Sequence, residues 1–122
     1  MIQPYNYKVK SIVKVVDGDT VDLIVDLGFD ISHKIRVRLN GYDAPETYRP
    51  KNDAEYQAGL KVKTFLTTLL ISGKFMISST IEEVYNRWGG TIYKEGEVGS
   101  INDLVRAYMV DNKLTKKDLG LI

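Results

Sequence analysis

Across residues 8–27 the chain alternates β-branched and polar side chains on both sides of Asp17-Gly18-Asp19. A period of two puts one set of side chains on each face of a strand, and Asp-Gly between two such runs is a hairpin turn. Residues 8–16 and 20–27 are therefore predicted as paired strands. Gly28 marks a second turn or bulge. After it Ile31, Ile35, Val37 and Leu39 supply a third strand, with Lys34, Arg36 and Arg38 on its other face.

Residues 41–51 then gather Gly, Pro, Asn and Asp and read as a loop. Asn52 or Asp53 is placed to cap a helix running to about Leu70, in which Leu60, Phe65, Leu66 and Leu69 fall near helical spacing, and Gly73 ends it. A fourth strand is expected over 75–84, a turn over 86–90, a short fifth strand over 91–93 and a Gly-containing hairpin over 94–99. Ser100 and Asp103 have the spacing of a helix cap, and Ile101, Leu104, Val105 and Tyr108 make one apolar face of a helix to about Val110. In the tail, Thr115 is placed to cap one further turn. There is no repeat or linker, so residues 1–122 are expected to form one domain.

A chain of 122 residues can bury a self-sufficient core, and the absence of cysteine removes zinc-finger, thiol-nucleophile and disulfide-scaffold readings. The formal net charge of +1 would not by itself draw in nucleic acid, so any anion binding must be local. No basic-then-apolar pattern opens the sequence and the longest apolar run is broken by threonines, which predicts a soluble, cytoplasmic protein.

Two segments carry the candidate chemistry: Asp17-Gly18-Asp19-Thr20, and Arg38 followed by Asp43-Ala44-Pro45-Glu46. Carboxylates with loop carbonyls suit a hard cation such as Ca²⁺, which takes about six to eight oxygen ligands. A cation beside an arginine and a free carboxylate is also what phosphodiester hydrolysis requires: charge neutralisation, a fork of N–H donors and a base for water. Taken singly, each piece is an ordinary hairpin turn or cap.

In combination, Asp17-Gly18-Asp19-Thr20 and Arg38 with the Asp43-Ala44-Pro45-Glu46-Thr47 stretch resemble the staphylococcal nuclease (thermonuclease) family, over about residues 8–110. The resemblance implies an α+β fold, a five-stranded OB-like β-barrel with two to three helices. It implies that Asp19, Asp43 and the backbone carbonyl of Ala44 bind Ca²⁺, that Glu46 is general base on water, and that Arg38 holds the phosphate of single-stranded DNA or RNA. It also implies a second phosphate-clamping arginine, whose position falls on Gly90 in Asn86-Arg87-Trp88-Gly89-Gly90. Loss of such a donor costs on the order of 10² to 10³ in rate. Arg87 is the candidate substitute, the glycine pair being permissive.

Trp88 takes the place of an aromatic that stacks near the nucleotide, or else is a core or rim tryptophan. Tyr48, beside the Pro-Glu loop, is a second stacking candidate, and Lys51, Lys61 and Lys63 form a basic rim or a solvated face, as do Lys116 and Lys117. His33 reads as solvated, and Asp17 as shaping the turn or standing behind the metal ligands rather than binding metal directly. Two functions remain open: a Ca²⁺-dependent nuclease, or a non-catalytic module of the same shape that binds nucleic acid or a protein.

Overall fold

The predicted hairpin is the first part of a closed barrel. A computed structural model describes residues 5–83 and 87–122, the side chains at 80–83 and 87 excepted. Its strands are β1 (Asn6–Asp17), β2 (Thr20–Asp26), β3 (Ser32–Leu39), β4 (Phe75–Glu83) and β5 (Arg87–Lys94), and its helices α1 (Asp53–Leu70) and α2 (Ile101–Asp111). The strands close in the order β1-β2-β3-β5-β4. Every neighbouring pair is antiparallel except β3 with β5. This is an OB-like α+β fold.

Closure depends on β1, which is long and irregular. Its register against β2 shifts between Val9 and Ser11, between Ile12 and Lys14, and between Val15 and Asp17. Such bulges bend a strand and increase its twist. The bent strand pairs with β2 along its length while Asn6 to Val9 reach β4 on the other side.

The barrel is filled by Val21, Leu23 and Val25 of β2, Val37 and Leu39 of β3, Phe75 and Ile77 of β4 and Ile92 of β5, all buried. Their alternation with polar neighbours is the period-two pattern that marked the strands. α1 packs against β1 and α2, and α2 against β5. The inward stripe of α1 is Glu55, Ala58, Gly59, Val62, Leu66 and Leu70. That stripe is rotated from the predicted one: Phe65 instead stacks on Tyr108 of α2, with centroids 4.0 Å apart and the rings within 3° of parallel.

β5 is longer than expected. Residues 87–90 were predicted as a turn because of their two glycines, yet they are strand, pairing with β3 through Trp88, Gly89 and Gly90; Asn86 lies outside the described residues. The reason is steric. A Cβ at Gly90 would stand 2.9 Å from Val37 Cγ1 and 3.1 Å from Ile77 Cδ1, so this strand can lie against the core only with glycine there. Of the expected two to three helices two form, and residues 115–119 make a turn. Among the described residues no helix is long and apolar enough to cross a membrane.

Candidate active site

The β1–β2 turn and the loop after β3 meet because the chain leaves no room between them. A Cβ on Gly18 would stand 2.8 Å from both Ala44 Cβ and Val62 Cγ1, so glycine lets the turn seat against the loop and α1. Hydrogen bonds then fix the contact. Tyr42 Oη donates to the Gly18 carbonyl at 2.7 Å, Leu39 N–H to the Asp19 carbonyl at 2.7 Å, and Ala44 N–H to Asp19 Oδ2 at 3.0 Å. Asp17 Oδ1 accepts from Gly18 N–H at 3.0 Å within the turn and from Thr47 Oγ1 at 2.9 Å across to the loop.

The other side of the loop is held by α1. Asn52 caps the helix by accepting from Glu55 N–H, and the Glu55 carboxylate, only 2% exposed, accepts from Glu46 N–H at 3.1 Å and Lys51 N–H at 2.7 Å. Burial alone would raise the Glu55 pKa, but these two donors, with Lys116 and Lys51 nearby, hold it below its ordinary value. At Gly59 a Cβ would stand 2.7 Å from Thr47 Cγ2 and 2.8 Å from the Pro45 carbonyl, so the helix backs directly onto the loop. Glu46 is thereby set on a stretch anchored from both ends.

Three carboxylates and two cations share the resulting cleft. Arg38 Nη2 lies 3.3 Å from Asp43 Oδ1 and 3.6 Å from Asp19 Oδ2. Lys116 Nζ lies 3.0 Å from Asp43 Oδ2 and 3.4 Å from Glu46 Oε1. Asp43 thus bridges the two cations, one on each oxygen. Asp19 is buried and its pKa is raised by desolvation, which Ala44 N–H and Arg38 oppose without overcoming. Glu46 is also raised, by desolvation first and by Asp17 and Asp19, against the pull of Lys116. Burial lowers the Lys116 pKa, yet its hydrogen bond and attraction to Asp43 and Glu46 raise it overall, so it is an ammonium here.

Of the residues singled out from sequence, Asp19, Arg38, Asp43, Ala44 and Glu46 therefore come together. Their donors to a cation are all oxygen, which fits Ca²⁺ in kind. Among the described residues, however, no three acidic or histidine side chains are drawn close enough to hold an ion, and Arg38 and Lys116 occupy the oxygens that Asp43 would offer.

The remaining candidates lie outside the acid cluster. Tyr48 is 81% exposed with the Arg49 guanidinium 5.3 Å from its ring centre, and Lys51 is exposed, contributing its backbone N–H to Glu55. Trp88 pairs with Val37, which points into the barrel, and with Tyr5, Tyr7, Leu27, His33 and Ile35 it lines an apolar cavity of about 300 Å³. The backbone of Arg87 pairs with Glu83, and its side chain lies outside the described residues. Position 90 faces the barrel interior, its Cβ direction running into Val37 and Ile77.

Lys116, expected on a basic rim or a solvated face, lies in the cleft, and the supports Glu55 and Asn102 were not foreseen. Asn102, buried in α2, accepts from Ile92 N–H at 3.0 Å and donates to the carbonyls of Asn40 at 2.8 Å and Gly90 at 3.0 Å. The caps expected at Asn52 and Thr115 mark two of the three segments, and the side chains three residues after them, Glu55 and Asp118, complete those turns. No protein-family model matches the chain, and no curated protein matches it.

Proposed function

We propose that this domain hydrolyses phosphodiester bonds of single-stranded DNA or RNA with the help of Ca²⁺, as a member of the staphylococcal nuclease-like group that its motifs resemble. The observation that carries the reading is the meeting, in one cleft, of Asp19, Asp43, Glu46 and Arg38. Asp19, Asp43 and the carbonyl of Ala44 would hold the cation, which supplies charge neutralisation at the scissile phosphate.

The chain's own residues would do the rest. Arg38 donates a fork of N–H groups to the non-bridging oxygens. Glu46, its pKa raised by desolvation, accepts a proton from the attacking water as the new P–O bond forms. The bond from phosphorus to the 5′-oxygen breaks, and that oxygen takes a proton from solvent. Glu55 keeps Glu46 in place through its backbone N–H.

One observation favours the other reading, a non-catalytic module that binds nucleic acid or a protein. Clustered carboxylates repel unless a cation accompanies them, and here Arg38 and Lys116 already accompany them. The acids are therefore compatible with a site that never takes up a metal.

Cleavage of single-stranded DNA by purified protein, with Ca²⁺ or with EDTA, separates the two. A nuclease cuts only with Ca²⁺ and loses cutting in Glu46→Ala. Folded wild-type protein that cuts nothing at high concentration refutes the enzyme reading, and retained oligonucleotide binding would then identify the module.

A further inference from the structure

We propose that Lys116 is the second phosphate-contacting cation of the cleft: once Asp43 turns to the Ca²⁺, the place its carboxylate fills between Lys116 and Arg38 takes the substrate's phosphoryl oxygens. The inference rests on the phosphodiesterase reading and extends it to a residue outside the motif that suggested it.

The first support is shape. Asp43 offers one oxygen to Arg38 at 3.3 Å and the other to Lys116 at 3.0 Å. A carboxylate and the two non-bridging oxygens of a phosphodiester present nearly the same pair of acceptors, which is why the same donors recognise both. The two cations are therefore already spaced to flank a phosphoryl group.

The second support is placement. Ion pairs at a surface stabilise little and cost side-chain freedom, so stability alone gives no reason for a lysine to be held this firmly. Yet the Lys116 side chain is only 19% exposed, while its partners Asp43 and Glu46 are 57% and 44% exposed. The segment that carries it is built: Leu114 is buried, Leu119 packs on the core, and between them Thr115 and Asp118 cap a turn reciprocally, Thr115 Oγ1 donating to Asp118 Oδ2 at 2.7 Å and Asp118 N–H to Thr115 Oγ1 at 3.1 Å. Leu121 N–H closes onto the Lys116 carbonyl at 2.8 Å. A docked, capped turn thus delivers one ammonium to the mouth of the cleft.

The third support is need. Phosphoryl transfer is favoured by more than one fixed positive donor. Lys116 reaches the cleft from the opposite side of Asp43 to Arg38, where a second donor would be useful.

The test titrates thymidine 3′-monophosphate, which contains no diester to cut, into wild type, Lys116→Gln, Lys116→Arg and Lys117→Gln by calorimetry in the presence of Ca²⁺, and titrates Ca²⁺ alone into each. Lys116→Gln should weaken mononucleotide binding about 10-fold or more, with Ca²⁺ affinity held or tightened because a competing ammonium has gone. Lys116→Arg should restore most of the mononucleotide affinity, and Lys117→Gln, altering an exposed neighbour, should change it less than about twofold. Equal mononucleotide binding by wild type and Lys116→Gln overturns the proposal and leaves the nuclease reading standing if DNA is cut. Parallel loss of Ca²⁺ affinity, mononucleotide affinity and melting temperature in Lys116→Gln also overturns it, by making the lysine a structural strut. Wild type that binds no mononucleotide overturns it too, and the cleavage assay then decides the fate of the broader reading.

Discussion

Glu55→Ala tests whether a buried carboxylate on α1 builds the cleft. The substitution removes the acceptor of two backbone N–H groups, those of Glu46 at 3.1 Å and Lys51 at 2.7 Å. A buried donor left without a partner costs about 1–3 kcal/mol. Lys51 is exposed and water can reach its N–H, so its loss belongs at the low end, whereas Glu46 is half-buried. Removing the carboxylate also relieves its own desolvation, which offsets part of the sum. The expected destabilisation is about 2–3 kcal/mol, read from urea unfolding at pH 7 followed by Trp88 fluorescence.

Glu55→Gln, which keeps one acceptor, should lose about half as much. The pH dependence supplies an independent check. The Glu55 pKa lies below its ordinary 4.5, so its contribution is present above that value and is lost as pH falls through the folded-state value. The stability gap between wild type and Glu55→Gln should therefore hold from neutral pH down to about 5 and close below it. A Glu55→Ala protein within about 0.5 kcal/mol of wild type would refute the claim that this residue anchors the loop.

Other expectations follow from the same geometry. Gly90→Ala should destabilise by about 1–3 kcal/mol through overpacking against Val37 and Ile77, and Gly90→Arg should fail to fold; a soluble Gly90→Arg with an unchanged melting temperature would mean that position 90 faces the cleft after all. Asn102→Ala should cost about 1–3 kcal/mol, chiefly by orphaning Ile92 N–H, since the Gly90 carbonyl keeps Asn40 N–H as a donor, and should speed hydrogen exchange at Ile92; unaltered protection there would count against the staple. Because the Asp19 pKa is raised above 3.8, its favourable contribution is present below that value and lost as pH rises through the folded-state pKa. Without divalent cations, wild type should thus lose stability relative to Asp19→Asn as pH rises from about 4 towards neutrality, and Ca²⁺ at pH 7 should restore wild type alone. Parallel pH curves for the two proteins would contradict the burial argument.

Strands β1 to β3 and both helices were legible because each is a local pattern: alternation around Asp17-Gly18-Asp19, and caps at Asn52 and Ser100. The β5 glycines misled because their cause is not local. Gly90 is glycine to make room for Val37, 53 residues earlier in the chain, and a turn signal and a packing requirement look alike in sequence. The α1 stripe was off by part of a turn for a related reason, since small Ala58 and Gly59 face inward where large residues were sought. Within the cleft, Asp19, Arg38, Asp43 and Glu46 could be named from their motifs. Lys116 could be given only as a rim or solvated lysine, because a lysine in a polar tail has no cleft signature until the tail is folded back onto Asp43.

The parallel join of β3 to β5 has a bearing on how the molecule behaves in company. It consists of the pairs Val37–Trp88, Arg38–Gly89 and Leu39–Gly90, made by segments about fifty residues apart, continued by Asn40 N–H to the Gly90 carbonyl and clasped by Asn102. Long chain separation makes such a join entropically late to form. When it parts, the cylinder becomes an open sheet whose two bare margins can each recruit a margin of another copy. Resistance to self-association in concentrated solution therefore hangs on this join and on the other long-range one, where Asn6 to Val9 of β1 meet Phe75 to Ser78 of β4, and not on the hairpins between them.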